Sequence, residues 1–264
     1  MYQIMNNELA TIRKIIQQAT QHPILDRYIQ KTEIDEDKLV VSIKMLAASS
    51  FSFDQSDQYI ASTILCQMAF ELHDTITLDV ALKPKDIKAR QLMVLAGDYY
   101  SAQSYCLIAD LDNSDPDLKD LDPLRNLSDA LRDLNAYKVN AISADFQWQQ
   151  IFDFFRDIEC TIISKVATVL EMEHWMPMLE HYFTLKRVRH EIEQCHQGVP
   201  SHVLQPIFER RPEKKKQFVQ AAESFTEKLV RQVEKDLQEG SSFLWQLSLA
   251  KAHWNEQTMR LSMT

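Results

Sequence analysis

Carboxylates crowd the stretch from Asp110 to Asp122 (DLDNSDPDLKDLD), and closely spaced acids of this kind are what a calcium loop is built from. Such a loop needs a sharply turning Gly at its sixth position and a bidentate Glu at its twelfth. Counted from Asp110, through Asp112, those positions hold Asp115 and Leu121, so the stretch reads as a solvated loop. Two Glu-x-x-His units, Glu171 to His174 and Glu193 to His196, have the spacing of the ligand pairs in di-iron helical bundles. A di-iron centre also takes a Glu from each of two further helices, one of which separates the pairs along the chain. Here both pairs sit at helix ends, beside Pro177 and Gly198, only 22 residues apart, and no metal centre is expected. Basic clusters at 186–190 (KRVRH) and 210–216 (RRPEKKK) could receive a phosphate or an acidic partner. Because Arg187 with Glu191 and Arg189 with Glu193 are i, i+4 pairs, a solvated helix face is the expected reading. No G-x-S-x-G, P-loop or Gly-rich phosphate loop offers a nucleophile or a phosphate cradle.

Helices must carry whatever chemistry there is. Only 3 of the 264 residues are Gly and 8 are Pro, too few turn formers for a many-stranded sheet, which leaves an all-α fold. With 45% hydrophobic residues the chain can bury a large core, and no linker divides it, so one domain over 1–264 is expected. Twenty-nine basic against 38 acidic residues leave a net charge of −9, which repels a polyanion; nucleic acid is not an expected partner. Residues 1–20 interleave polar with apolar groups and lack the apolar core of a signal peptide, and no stretch has the roughly 20 apolar residues of a transmembrane span. Cys66, Cys106, Cys160 and Cys195 stand singly in apolar helical patterns, as inert buried thiols of a reduced, cytoplasmic protein would.

Apolar spacing predicts helices over 2–20, from caps at Thr32 or Asp35 through Leu46, and over a long segment whose stripe is Ala61, Ile64, Leu65, Met68, Ala69, Leu72 and Ile76. Beyond Pro84, ARQLMVLAGDYYSAQSYCLIA is apolar nearly all round and reads as the central helix. Asp122-Pro123 is an N-cap and N1 pair opening a helix to 142. Further helices follow over 145–171 and 176–196, closed by Gly198 and Pro200, then near 201–209, over 212–239 and after Gly240.

Two segments carry the reading further. Phe70-Glu71-Leu72-His73-Asp74-Thr75-Ile76 and, some 20 residues on, Val94-Leu95-Ala96-Gly97-Asp98-Tyr99 resemble the trans-prenyltransferases, the all-helical isoprenyl diphosphate synthases. Those enzymes read Leu-His-Asp-Asp-x-x-Asp on one helix and Val-Leu-Ala-Gly-Asp-Tyr on the next. The second match is complete over six residues. It is also specific, because Gly and Asp inside an apolar helix are costly unless something repays them. Gly97 is expected where two helices approach closely.

In that family, carboxylates at i, i+1 and i+4 hold Mg²⁺ on an allylic diphosphate and stabilise the leaving group. The corresponding positions here are Asp74, Thr75 and Leu78, so two of the three ligands are missing and Asp74 is a relic. Asp79 lies five residues on, about 140° round a helix, and cannot substitute. The sequence contains no Asp-Asp pair, Phe183 to Val188 (FTLKRV) offers cations where the second motif belongs, and the Gly-Lys and Arg-Arg-Gly elements are absent.

A prenyltransferase skeleton without metal ligands is similar to the small subunit, component I, of heteromeric heptaprenyl diphosphate synthases. His22-Pro23, Ile34 to Leu39 and Arg90-Gln91-Leu92 extend the pattern, which is clearest over about residues 20–110. The resemblance implies an isoprenoid-synthase-like helical bundle that is inactive alone and binds no cofactor itself. It implies a large catalytic partner, component II, that carries Mg²⁺ and condenses farnesyl with isopentenyl diphosphate for a menaquinone side chain. The present chain would complete the dimer and help set whether the product is heptaprenyl or hexaprenyl. Its candidates for contact with the growing prenyl chain, one and two turns before the relic, are Leu65, Cys66, Ala69 and Phe70; ordinary core packing is the competing reading of the same stripe. Two other readings stay open. One is a non-enzymatic helical adaptor that keeps the skeleton, and the other is an autonomous terpenoid enzyme with degenerate ligands.

Overall fold

In a computed structural model of the chain, the described residues are 2–29, 32–49, 55–76, 84–112, 122–140 and 147–238. Ten α-helices are present among them: α1 (Tyr2–Thr20), α2 (Leu25–Tyr28), α3 (Glu36–Ala48), α4 (Ser56–Asp74), α5 (Pro84–Asp112), α6 (Pro123–Asn140), α7 (Trp148–Val169), α8 (Met176–Gln197), α9 (Gln205–Arg210) and α10 (Glu213–Gln238). No strand occurs among the described residues, and the all-α expectation holds. None of the described helices is long and apolar enough to cross a membrane. The predicted terminal helix and most of the acidic loop lie outside the described residues.

Local chemistry sets the helix ends. Asp35 accepts from the backbone N–H of Asp37 and Lys38 at 3.0 and 3.3 Å and so caps α3. Asp122 accepts from the N–H of Arg125 at 3.1 Å, and Pro123 occupies the first turn of α6. Gly198 ends α8 in the left-handed region, with φ of 82°. Glu171 takes the same conformation, φ 55°, after α7, where the N–H of Met172 bonds back to the carbonyl of Ala167.

Two compact units divide the chain: residues 1–130 with 168–171, and residues 131–167 with 172–264. In the first, α4 packs against α5, α1 and α3, and α2 lies on α5. Every residue of α4 from Tyr59 to Ala69 is buried, so the most enclosed helix of this unit is α4. Two of its interior polar groups find partners, with Ser104 of α5 donating to the Ser62 carbonyl at 2.9 Å and Thr63 donating to the Ile60 carbonyl at 2.8 Å, whereas Gln67 Oε1 has none among the described residues. The sequence expectation had placed α5 at the centre. Instead α5 buries Ala96, Tyr100, Ser104, Ile108 and Leu111 and leaves Val94 and Leu95 39% and 58% exposed. The cysteine expectation needs a matching correction. Cys66, Cys160 and Cys195 are buried, but Cys106 lies on the outward face of α5.

In the second unit α8 packs on α10, and aromatic side chains join α7 to α10, with Phe152 stacked on Phe225 at 4.4 Å between ring centres. Arg187 departs from the solvated face assigned to its cluster. Its guanidinium donates to Glu191 at 2.8 Å and to Glu159 of α7 at 3.0 Å, and it lies 5.1 Å from the centre of the Phe155 ring. The i, i+4 pairing with Glu191 is present, but Glu191 is fully buried. For the second pair, Glu193 instead accepts from Gln197 at 3.1 Å.

Candidate functional site

The family-motif residues meet where α4 and α5 cross. His73, in the last turn of α4, lays its imidazole on the backbone of α5 at Gly97: a Cβ built there would sit 2.5 to 2.9 Å from the ring atoms Nε2, Cε1 and Cδ2. The close approach expected at Gly97 is therefore that of a side chain to a helix backbone. Removing one methyl group makes room for a ring. From this position His73 Nε2 is 3.6 Å from Asp98 Oδ1, an ion pair whenever the imidazole is protonated. Tyr99 is half-buried and meets the His22 ring in a T-shaped contact at 5.6 Å between centres, which ties the His22-Pro23 segment to α5. Leu72 and Ala96 are buried below this layer, whereas Leu95 and Asp98 face solvent.

Two residues before His73 on α4, Glu71 accepts from Gln67 Nε2 at 2.8 Å and lies 4.0 Å from the ammonium of Lys38, whose side chain is only 4% exposed. This buried cation beside the relic motif was not singled out from sequence. Its signal was the apolar company of Lys38 on α3, with Leu39 and Ile43 buried alongside. The tyrosine that follows the motif, Tyr100, is buried too. Burial foremost, then Asp26, pushes its phenol up from the ordinary range, and a hydrogen bond with Thr32 opposes them.

Asp74 is the last residue of α4, and Thr75 caps the helix with its hydroxyl donating to the Leu72 carbonyl at 2.7 Å. At the second ligand position there is thus a hydroxyl turned onto its own helix. Leu78 and Asp79 lie outside the described residues. Among the described residues no three His, Cys, Asp or Glu side chains are grouped to hold a metal ion. Of the Glu-x-x-His residues, Glu171 forms the left-handed end of α7 and His174 lies in a 3-10 turn (Glu173–Trp175).

Leu65, Cys66 and Ala69 are buried in α4 and Phe70 is half-buried. Burial pushes the Cys66 thiol up to about 12. A cavity of about 260 Å³ in the same unit has other walls, among them Gln17, Thr20, Leu25, Asp26 and Tyr100.

Comparison with known proteins places this geometry. The sequence profile of the heptaprenyl diphosphate synthase (HEPPP synthase) subunit 1 family matches residues 22–238. The chain belongs to this family. Heptaprenyl diphosphate synthase component 1 of Geobacillus stearothermophilus is 29% identical over 150 residues, a match covering 56% of this chain and 63% of that protein. The matched stretch is therefore less than two thirds of that relative's length. Among solved structures, heptaprenyl diphosphate synthase from Staphylococcus aureus superposes with a TM-score of 0.59 at 14% identity, covering 94% of this chain and 96% of the other. An isoprenoid synthase family member from Thermotoga neapolitana DSM 4359 gives 0.58 at 13% identity, with 88% and 93% covered. At these identities the likeness is one of fold. It establishes the isoprenoid-synthase-like helical bundle for this subunit 1 family member, whose profile match contains both the His73-Asp74 and the Gly97-Asp98-Tyr99 segments.

Proposed function

We propose that this chain is the small, non-catalytic subunit of a two-component heptaprenyl or hexaprenyl diphosphate synthase. In this reading component II, the large subunit, carries the Mg²⁺ sites and joins isopentenyl units to farnesyl diphosphate, and the present chain completes the complex and helps set product length for a menaquinone side chain. The observation that carries the reading is the contrast within one motif. His73, Gly97 and Asp98, which join α4 to α5, are kept, while the second ligand position is a helix-capping Thr75. A single carboxylate from Asp74 holds a hydrated Mg²⁺ poorly, because that ion demands several oxygen ligands in octahedral array. The skeleton has been retained and the charge-handling groups have not.

Physical economy supports two subunits. A C35 chain needs a long apolar tunnel, and a second helical subunit supplies wall that one does not enclose. The test is to express the chain with the cognate large subunit, purify each alone and together, and separate the dephosphorylated products by reversed-phase chromatography. The expected result is no elongation by this chain alone and long-chain product from the mixture. Turnover by the isolated chain, free of contaminating synthase, overturns the reading, and so does a mixture whose product and rate match those of the large subunit alone.

A further inference from the structure

The two basic clusters of the sequence end differently. At 186–190 the guanidinium of Arg187 is taken up by Glu191 and Glu159. At the other, residues 209–216 (ERRPEKKK) set five cations against two acids in a chain whose net charge is −9. No carboxylate among the described residues pairs with Arg210, Arg211, Lys214, Lys215 or Lys216, whereas Arg156 and Lys165 of the same unit meet Asp153, Asp157 and Asp133. Glu209 turns back to accept from Gln205 at 2.7 Å. Arg210, Arg211 and Lys216 are exposed.

Topology gathers these cations at one end of a helix pair. His181, near the start of α8, bonds to Asp236, near the end of α10, at 3.0 Å, while the Lys215 ammonium near the start of α10 acts on the Cys195 thiol near the end of α8. The two helices therefore run antiparallel. Their connection, with Val199 and α9, lies at the end that carries the five cations. Trp148, which opens α7, comes to this end as well, its ring 5.5 Å between centres from Phe218 and 5.7 Å from the Lys214 ammonium. Val199 is 63% exposed, the most of any large apolar side chain among the described residues.

Successive lysines at 214, 215 and 216 leave α10 about 100° apart, so their charges spread over a face instead of converging on one point. Converging donors grip a single phosphate, whereas a spread of cations suits a plane of negative charge. An exposed valine and an indole among the lysines are what the boundary between lipid headgroups and acyl chains accepts. We propose that this end of the unit, with Arg210, Arg211 and the three lysines around Val199 and Trp148, docks on an anionic lipid surface. The acidic remainder of the chain is repelled by such a surface, so the cluster also orients the approach. This docking goes beyond the subunit role and does not depend on it. For a synthase of long prenyl chains it would shorten the path of a water-insoluble product to the bilayer.

The full chain, alone and with the cognate large subunit, is sedimented with phosphatidylglycerol and with phosphatidylcholine vesicles at about 0.1 and about 0.5 M salt. Binding to the anionic vesicles at low salt is expected, at least about tenfold weaker at high salt and on the neutral lipid. The triple variant Arg210→Gln, Arg211→Gln, Lys216→Gln, at exposed positions, should keep the melting temperature and weaken binding at least about tenfold, since each cation near such a surface is worth roughly fivefold. Val199→Ser should weaken it several-fold and leave the salt dependence unchanged. A control with the same change in net charge elsewhere, Lys14→Gln, Arg125→Gln, Lys228→Gln, should bind as wild type. No sedimentation with anionic vesicles, equal binding to both lipids, or equal binding by the two triple variants overturns the proposal. Binding that inorganic phosphate abolishes at constant ionic strength assigns the cluster to a single anion and overturns it too. If the chain alone binds and the complex does not, the large subunit covers the cluster, and the proposal falls while the subunit role stands. Failure to form a complex strikes the functional reading, and the chain alone then decides the docking.

Discussion

At the scale of single residues, Gly97 and His73 are one unit. A methyl group at 97 would overlap the imidazole, yet Ala is better than Gly inside a helix by about 1 kcal/mol. Gly97→Ala should therefore destabilise the chain by about 1 kcal/mol when His73 is present, since the ring must leave its seat beside Asp98. In a His73→Ala background the same change should stabilise by up to about 1 kcal/mol. Denaturant melts of the four proteins give the coupling, and additive effects would show that the ring yields freely. Glu8 of α1 gives a pH signature. Burial first, then Asp57, raises its carboxyl above the usual value, and Lys44 opposes them. A folded value above the unfolded one gives stability that is complete in acid and lost as the pH rises through the folded value. Glu8→Gln should accordingly match wild type near pH 4 and be more stable at pH 7 by on the order of a few tenths of a kcal/mol, exposure screening the rest. Melting curves at the two pH values check this, and an advantage confined to the acid side would contradict the sign. Sequence alone made Gly97 conspicuous, because glycine inside an apolar helix asks for a neighbour. It did not name His73 as that neighbour, since the two are 24 positions apart and meet only through tertiary packing.

Among the elements, α4 and α5 show what periodicity reveals and what it conceals. Both are charge-poor over long runs, and on that ground α5 looked central. The structure gives the enclosed place to α4, whose eleven residues from Tyr59 to Ala69 are all buried. The apolar count of α5 comes partly from alanines and tyrosines that sit well at a surface, and periodicity cannot tell a helix enclosed on all sides from one that keeps an exposed face. This bears on product length. Ala69 is 1% exposed, so Ala69→Phe should cost about 1–3 kcal/mol through overpacking and is the riskier probe. Phe70 is half-buried and the cleaner one. If the stripe shapes the tunnel, Phe70→Ala lengthens the main product of the reconstituted enzyme and Ala69→Phe shortens it in whatever complex still folds. Simple destabilisation would lower turnover without shifting lengths. Identical product distributions from wild type and both variants would assign Leu65, Cys66, Ala69 and Phe70 to core alone.

For the whole molecule, composition was decisive for fold class and silent about role. Three glycines and the helical spacing led to an all-α chain, and the caps at Asp35, Asp122 and Gly198 fell where turn chemistry put them. Long-range electrostatics were less legible. The partner of Arg187 at i+4 could be read from spacing, but Glu159, 28 positions away on α7, could not, and the two acids together turn a supposed surface cation into a largely enclosed one. The proposed role was legible only as a departure from the motif this chain resembles, Thr75 where a carboxylate stands there. The way α4 stops there gives that departure a direction. Three carboxylates at i, i+1 and i+4 clasp a metal only if the helix continues through the last of them, and here the helix closes at Asp74 with the Thr75 hydroxyl bonded to Leu72. Writing Asp back at 75 would restore one letter of the motif and remove the hydroxyl bond to Leu72, at a residue that already stands outside the helix. In the subunit role proposed above, the missing ligand and the end of the helix would hold each other in place, because a return to metal binding needs a change of backbone at Asp74 before any change of charge is of use.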